Sequence, residues 1–130
     1  MSGFTKNIEG NNEVIKYEFT INDINYEFRF KKWELDKYFT TVFRVKGIKI
    51  PKYSVGKDLS HLNKVYNVLY EIIEDVRINN SEYMIKFHGT NPNSKEQTIR
   101  TKSYVRFLKR KYDEKIISVN GNKIFINKEI

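Results

Sequence analysis

A chain of 130 residues with a formal charge of +8, 39% hydrophobic and 15% aromatic residues and no Cys has the length of one domain and the apolar material for one core. The missing Cys excludes a disulfide scaffold, a thiolate metal site and a cysteine nucleophile. Met1 to Asn7 has no signal-sequence apolar core, and no stretch reaches membrane-spanning length. The expectation is therefore a cytoplasmic protein that does not engage membranes.

Residues 1–12 are polar and read as a mobile N-terminal arm. Period-two alternation follows: Ile15, Tyr17, Phe19 and Ile21, then Ile24, Tyr26, Phe28 and Phe30. The Asn22-Asp23 pair between them suits a two-residue hairpin turn, because both residue types tolerate positive φ. That register sets Tyr17 against Phe28 and Phe19 against Tyr26, and also Glu18 against Glu27, with Lys16 or Arg29 placed to screen the like charges. A loop holding the sole Trp, Trp33, leads to a third strand with Phe39, Thr41, Phe43 and Val45 on one side. Ile48 to Tyr53 suits a short fourth strand, interrupted by Pro51 and so at an edge.

The period then changes. Leu62, Val65, Tyr66, Leu69, Ile72, Ile73 and Val76 fall on one helical face, started by Asp58 or Ser60 as cap and ended at Asn79-Asn80. Tyr83 to Phe87 reads as a short buried strand. A second helix over Thr98 to Tyr112 turns Thr101, Tyr104, Val105, Leu108 and Tyr112 inward. Lys115 to Val119 and Lys123 to Ile126 form a hairpin around Asn120-Gly121. The whole is a single α+β domain over 1–130, order β-β-β-(β)-α-β-α-β-β, with a mixed or antiparallel sheet and two helices.

Charge is unevenly distributed. From Ser81 to Ile130 there are eleven Lys and Arg against five Asp and Glu, which is +6 of the total +8. Lys102, Arg106 and Lys109 recur at helical spacing opposite Tyr104 and Leu108, and Arg100, Arg110 and Lys111 widen the stripe. A phosphate-binding face has this form. AT-rich codons, which favour Lys, Asn and Ile over the absent Ala, also raise the Lys content, but they do not explain why four of the six Arg lie from Arg77 onward. With Lys in the majority, any nucleic-acid contact should be weakly sequence-specific.

Signals for catalysis are few. His61 falls in the first turn of the first helix and reads as a surface residue. His88 closes the buried strand, a position where α/β sites gather. No metal-ligand spacing, nucleophile elbow, phosphate loop or carboxylate pair occurs, so neither a metal nor a cofactor is expected.

The order strand, loop, helix, strand, helix, hairpin from Tyr53 to Ile126 resembles the second half of the GNAT acetyltransferase fold. That resemblance implies an acetyl-CoA pyrophosphate site at the turn before the first helix, here Tyr53-Ser54-Val55-Gly56-Lys57-Asp58-Leu59-Ser60. The family pattern Arg/Gln-x-x-Gly-x-Gly/Ala needs backbone N–H groups close to phosphate. This stretch has one Gly, Gly56, with Lys57 beside it and Asp58 opposing the phosphates. Gly56 and Lys57, which the resemblance offers, and His88, from its place at a strand end, make up the candidate pocket. The stretch Thr98-Ile99-Arg100-Thr101-Lys102-Ser103-Tyr104-Val105-Arg106-Phe107-Leu108 resembles an Arg-x-x-x-Tyr-x-x-x-Leu-like helix of an uncharacterised family of tailed-bacteriophage proteins, whose AT-rich genomes would fit the missing Ala. The expectation is a non-enzymatic phage accessory protein, in the host cytoplasm, that binds nucleic acid, a nucleoprotein or an acidic protein surface. One concrete form is an inhibitor of a host defence such as CRISPR. A GNAT-like acyltransferase, intact or degenerate, and a virion structural component remain the alternatives, and the oligomeric state is open.

Overall fold

The computed structural model describes residues 3–11, 13–45, 59–88, 99–121 and 123–127, and of residues 45, 59–62, 88 and 99–101 the backbone alone. The alternating residues form β2 (Val14–Ile21) and β3 (Ile24–Trp33). Their turn residues Asn22 and Asp23 both have positive φ, 50° and 65°, the left-handed pair whose twist matches the flanking strands. The register follows the alternation, with Tyr17 opposite Phe28 and Phe19 opposite Tyr26. Phe19 and Tyr26 stack with centroids 5.1 Å apart.

Before them lies a strand that the polar composition hid: β1 (Thr5–Glu9) pairs antiparallel with β2. Residues 5–9 therefore depart from the expected mobile arm. All five residues of β1 are exposed, and Ile8 alone is apolar, so no period-two signal marks it. Contacts outside the strand hold it. Phe4 meets the Tyr17 ring edge-on at 5.2 Å, and Lys6 donates to Asp75 Oδ2 at 2.8 Å. The Tyr17 hydroxyl donates to the same oxygen at 2.6 Å. Burial pushes the Asp75 carboxyl pKa up, but the Lys6 and Tyr17 hydrogen bonds and the Lys6 charge outweigh it and hold it below its ordinary value.

Strand β4 (Tyr38–Val45) continues the antiparallel meander. Helix α1 (Leu59–Asn79) follows, then β5 (Met84–His88), helix α2 (Ile99–Lys111), β6 (Ile117–Asn120) and β7 (Lys123–Ile126). One seven-stranded sheet results, in the order β1-β2-β3-β4-β5-β7-β6. It is mixed, because β4 and β5 run parallel while the other neighbours are antiparallel. The expected element order holds, with β1 added. The fourth strand expected over 48–53 lies outside the described residues.

Strand β5 and helix α2 shift from expectation by one residue at each end, and three further boundaries differ. Trp33 ends β3 instead of sitting in a loop. Lys115 and Ile116 belong to a 3-10 turn over Glu114–Ile116, because the Asp113 side chain accepts from the Lys115 N–H at 3.0 Å and bends the chain before β6 begins. The turn of the last hairpin falls one residue later than expected, since Asn120 still pairs with Lys123. Gly121 then takes φ 60°.

The helices share one side of the sheet. Helix α1 buries Val65, Leu69, Ile72, Ile73 and Val76, and α2 buries Phe107 and Leu108, against Phe28, Phe30, Phe39, Ile85 and Ile124. Phe107, absent from the expected inner face, stacks on Tyr66 at 4.7 Å. The Tyr66 and Ser103 hydroxyls also meet at 2.6 Å. Leu69 is 3% exposed. Leu69→Ala should lower stability by about 2–5 kcal/mol through lost transfer energy and a residual cavity. A urea unfolding midpoint unchanged by that substitution would contradict this packing.

Candidate nucleic-acid interface

At 100° per residue, Lys102, Arg106 and Lys109 lie within about 60° of one another around α2, opposite Phe107 and Leu108. All three are exposed, and Arg110 flanks them. The helix has no acidic residue in its first turn and three basic residues in its last, where positive charge suits the dipole. Among the described residues no carboxylate pairs with Lys102, Arg106, Lys109 or Arg110. Their charge is thus turned to solvent.

Lys111 does not belong to this row. Its Nζ sits 5.1 Å from the centroid of the Tyr70 ring, and with Arg77 and Lys115 it borders a separate surface pocket of about 400 Å³. Arg100 lies in the first turn of α2, and its side chain is outside the described residues. His88 is the last residue of β5, with its backbone opposite Lys123, and its side chain is likewise outside them. Gly56 and Lys57 fall outside the described residues altogether. Beneath α2 an apolar cavity of about 60 Å³ is lined by Phe28, Phe43, Leu69, Ile73 and Leu108 among others. That volume is far below the several hundred Å³ of small-molecule sites.

Both described helices lie on one side, and among the described residues no element covers the other side of the sheet. Its residues alternate with the core set: Lys16, Glu18, Glu27, Arg29, Lys31 and Trp33 from β2 and β3, with Thr40, Val42 and Arg44 from β4. Glu27 is only 1% exposed, because three cations close over it. Arg44 Nε donates to Glu27 Oε2. Arg29 approaches the same oxygen at 3.4 Å, and Lys16 reaches Oε1 at 3.7 Å and Glu18 at 3.2 Å. The like-charge pair Glu18–Glu27 is thus screened by Lys16, by Arg29 and, from the next strand, by Arg44.

Further along this face, Trp33 and Tyr38 form a near-parallel ring pair. The alternation that would reveal them is hidden by Lys31-Lys32 and by the turn-like Glu34-Leu35-Asp36, which make Trp33 read as loop. The chain matches no protein-family model, no curated protein and no solved structure.

Burial pushes the Glu27 pKa up, but the Arg44 hydrogen bond and the charges of Arg29, Arg44 and Lys16 outweigh it and hold it below the usual 4.5. A carboxyl held low in the folded state stabilises fully above its unfolded value and loses that contribution as pH falls through the folded one. Glu27→Gln should therefore cost about 1–2 kcal/mol at neutral pH, a charge-assisted bond discounted for the exposed Arg partners. The gap from the unchanged protein should narrow below about pH 4.5. Parallel urea midpoints between neutral and strongly acid pH measure this, and a constant gap would contradict it.

Proposed function

We propose that this chain is a non-enzymatic accessory protein, phage-encoded, that binds nucleic acid or a nucleoprotein through the outer face of α2. The supporting observation is the row Lys102, Arg106 and Lys109, exposed, aligned and without carboxylate partners among the described residues. Cations so arranged release condensed counterions when they meet phosphates. They do so without choosing bases, because lysine acts as a point charge and lacks the guanidinium fork. A host-defence effector carrying a guide RNA, as in CRISPR, presents the phosphate-dense surface that such a face suits. Inhibition of such an effector is the specific form of the proposal. An acidic protein surface is the other partner that the same charges accept.

Binding to RNA or DNA should fall steeply with salt. Replacing Lys102, Arg106 and Lys109 together by Glu should abolish binding to duplex RNA or DNA while changing stability by no more than about 0.5 kcal/mol, as exposed substitutions do. Fluorescence anisotropy with labelled oligonucleotides across a salt series, beside thermal melts, checks both halves. Duplex binding that survives the reversal would remove α2 from the proposal.

A second reading, acyl transfer, draws support from the run α1, β5, α2, β6, β7, which follows the order of the GNAT resemblance after its first strand. It would use the turn at Gly56 and Lys57. A single Gly and the opposing Asp58 argue against a phosphate cradle there. Millimolar acetyl-CoA should leave the melting temperature unchanged, whereas a saturable rise that disappears in Gly56→Glu would favour the enzyme.

A further inference from the structure

We propose that the uncovered face of the sheet is a second binding surface, made for single-stranded nucleic acid. In it the Trp33–Tyr38 pair stacks on unpaired bases while Lys31, Lys86 and Lys123 hold phosphates. This surface lies on the far side of the sheet from α2 and stands independently of the reading of that helix.

The aromatic pair is already ordered, with Trp33 exposed and Tyr38 half-buried. Trp33 is 40% exposed. Its ring lies within 17° of the plane of Tyr38, with centroids 6.1 Å apart. The indole N–H donates to Thr40 Oγ1 at 3.1 Å, and Lys31 Nζ stands 4.4 Å from the ring centroid. Three contacts from two strands fix the ring, so little rotamer freedom remains to be given up when a base stacks on it. Phe125 repeats the arrangement two strands away from β4, with Lys86 Nζ at 5.9 Å from its ring centroid.

The charge on this face is sorted. Its acidic residues are Glu9, Glu18 and Glu27, and all three are engaged by Lys16, with Arg29 and Arg44 adding to Glu27. Lys31, Lys86 and Lys123 have no carboxylate partner among the described residues. They stand on the side of the sheet that carries the aromatic rings. Lys31, Thr40, Lys86 and Phe125 occupy one row across β3, β4, β5 and β7. At the usual strand spacing Lys31 and Lys86 are about 10 Å apart. Exposed Glu34 and Asp36 in the β3–β4 turn repel a phosphate chain from the hairpin tip, so the bound strand runs across the sheet.

Charge also selects the occupant. A second copy of this chain docked face to face about a two-fold axis would bring the same cations together. A duplex offers phosphates but keeps its bases paired and stacked, out of reach of the rings. Single-stranded nucleic acid supplies both free base faces and phosphates.

Trp33 is the only Trp in the chain, so its emission reads this face without contribution from α2. Titration of the full chain with oligothymidylate of about a dozen nucleotides, within the site sizes of single-strand binders, should quench that emission saturably at low salt. A blunt duplex of equal length should quench it weakly. In anisotropy with the same labelled oligothymidylate, with Lys102, Arg106 and Lys109 already changed to Glu, Trp33→Ala should weaken binding about 5- to 150-fold, and Trp33→Phe should restore part of it. The pair Lys31→Glu and Lys86→Glu, which leaves Trp33 in place, should abolish the quench and lower the salt slope by about 0.7 for each phosphate no longer neutralised. Circular dichroism of each variant separates loss of binding from loss of fold. Unchanged emission with oligothymidylate at low salt would overturn the proposal. So would equal quenching by duplex, quenching that persists in the double-Glu variant, or emission that tracks a monomer–dimer equilibrium in sedimentation.

Discussion

Three registered residue pairs between parallel strands, Tyr38 with Met84, Phe39 with Ile85 and Thr40 with Lys86, join the two halves of this molecule. The meander β1–β4 and the hairpin β6–β7 with β5 are each built from antiparallel neighbours, and only the β4–β5 pairing makes them one sheet. A parallel pair cannot be closed by a tight turn and needs a crossover, normally helical. That requirement puts α1 between β4 and β5 in sequence and over the sheet in space. The join is reinforced at both ends. The Met84 N–H donates to the Lys37 carbonyl at 3.0 Å, and the Thr41 hydroxyl donates to the Lys86 carbonyl at 3.1 Å. Phe39 and Ile85 seal it from the core side, 0% and 1% exposed.

Because α1 and α2 cover the same side, the sheet has two unlike faces. The covered face is a continuous field of aromatic and aliphatic side chains, in which Phe28 touches Phe30, Phe43 and Phe87. The uncovered face is a charged lattice whose carboxylates are each neutralised locally. Glu27 illustrates the balance of terms: its desolvation is unfavourable, and three converging cations reverse the sign. Among the described residues, cations without a carboxylate partner then stand on the outer side of α2 and beside Trp33 on the sheet.

Elements with a strong period were legible in the sequence. Tyr17, Phe19, Phe28 and Phe30 set a register that the Asn22-Asp23 turn could satisfy in only one way, and Leu69 to Val76 drew the buried stripe of α1 without ambiguity. The misses share a cause, which is that the determining contact is remote. Strand β1 has no apolar period because it is held by Lys6 reaching Asp75, 69 residues away. Phe107 is buried by a stack on Tyr66 from another helix, which helical periodicity within 99–111 cannot show. Lys102, Arg106 and Lys109 were visible as a row, since their relation is local to one helix. The Trp33–Tyr38 pair was not, because Glu34, Leu35 and Asp36 interrupt the alternation at the tip where the two strands meet.

Strand β1 has a further meaning for the behaviour of the chain in concentrated solution. It occupies one margin of the sheet, short and wholly polar apart from Ile8, and presents to the surroundings a row that other chains have little reason to extend. Behind it lies β2, where Ile15, Tyr17 and Phe19 are all buried. A chain trimmed to begin at residue 13 would expose the backbone donors and acceptors of that strand, with apolar side chains at every second position. The same five residues that add almost nothing to the core therefore stand between the folded protein and intermolecular strand pairing of the kind that seeds aggregates.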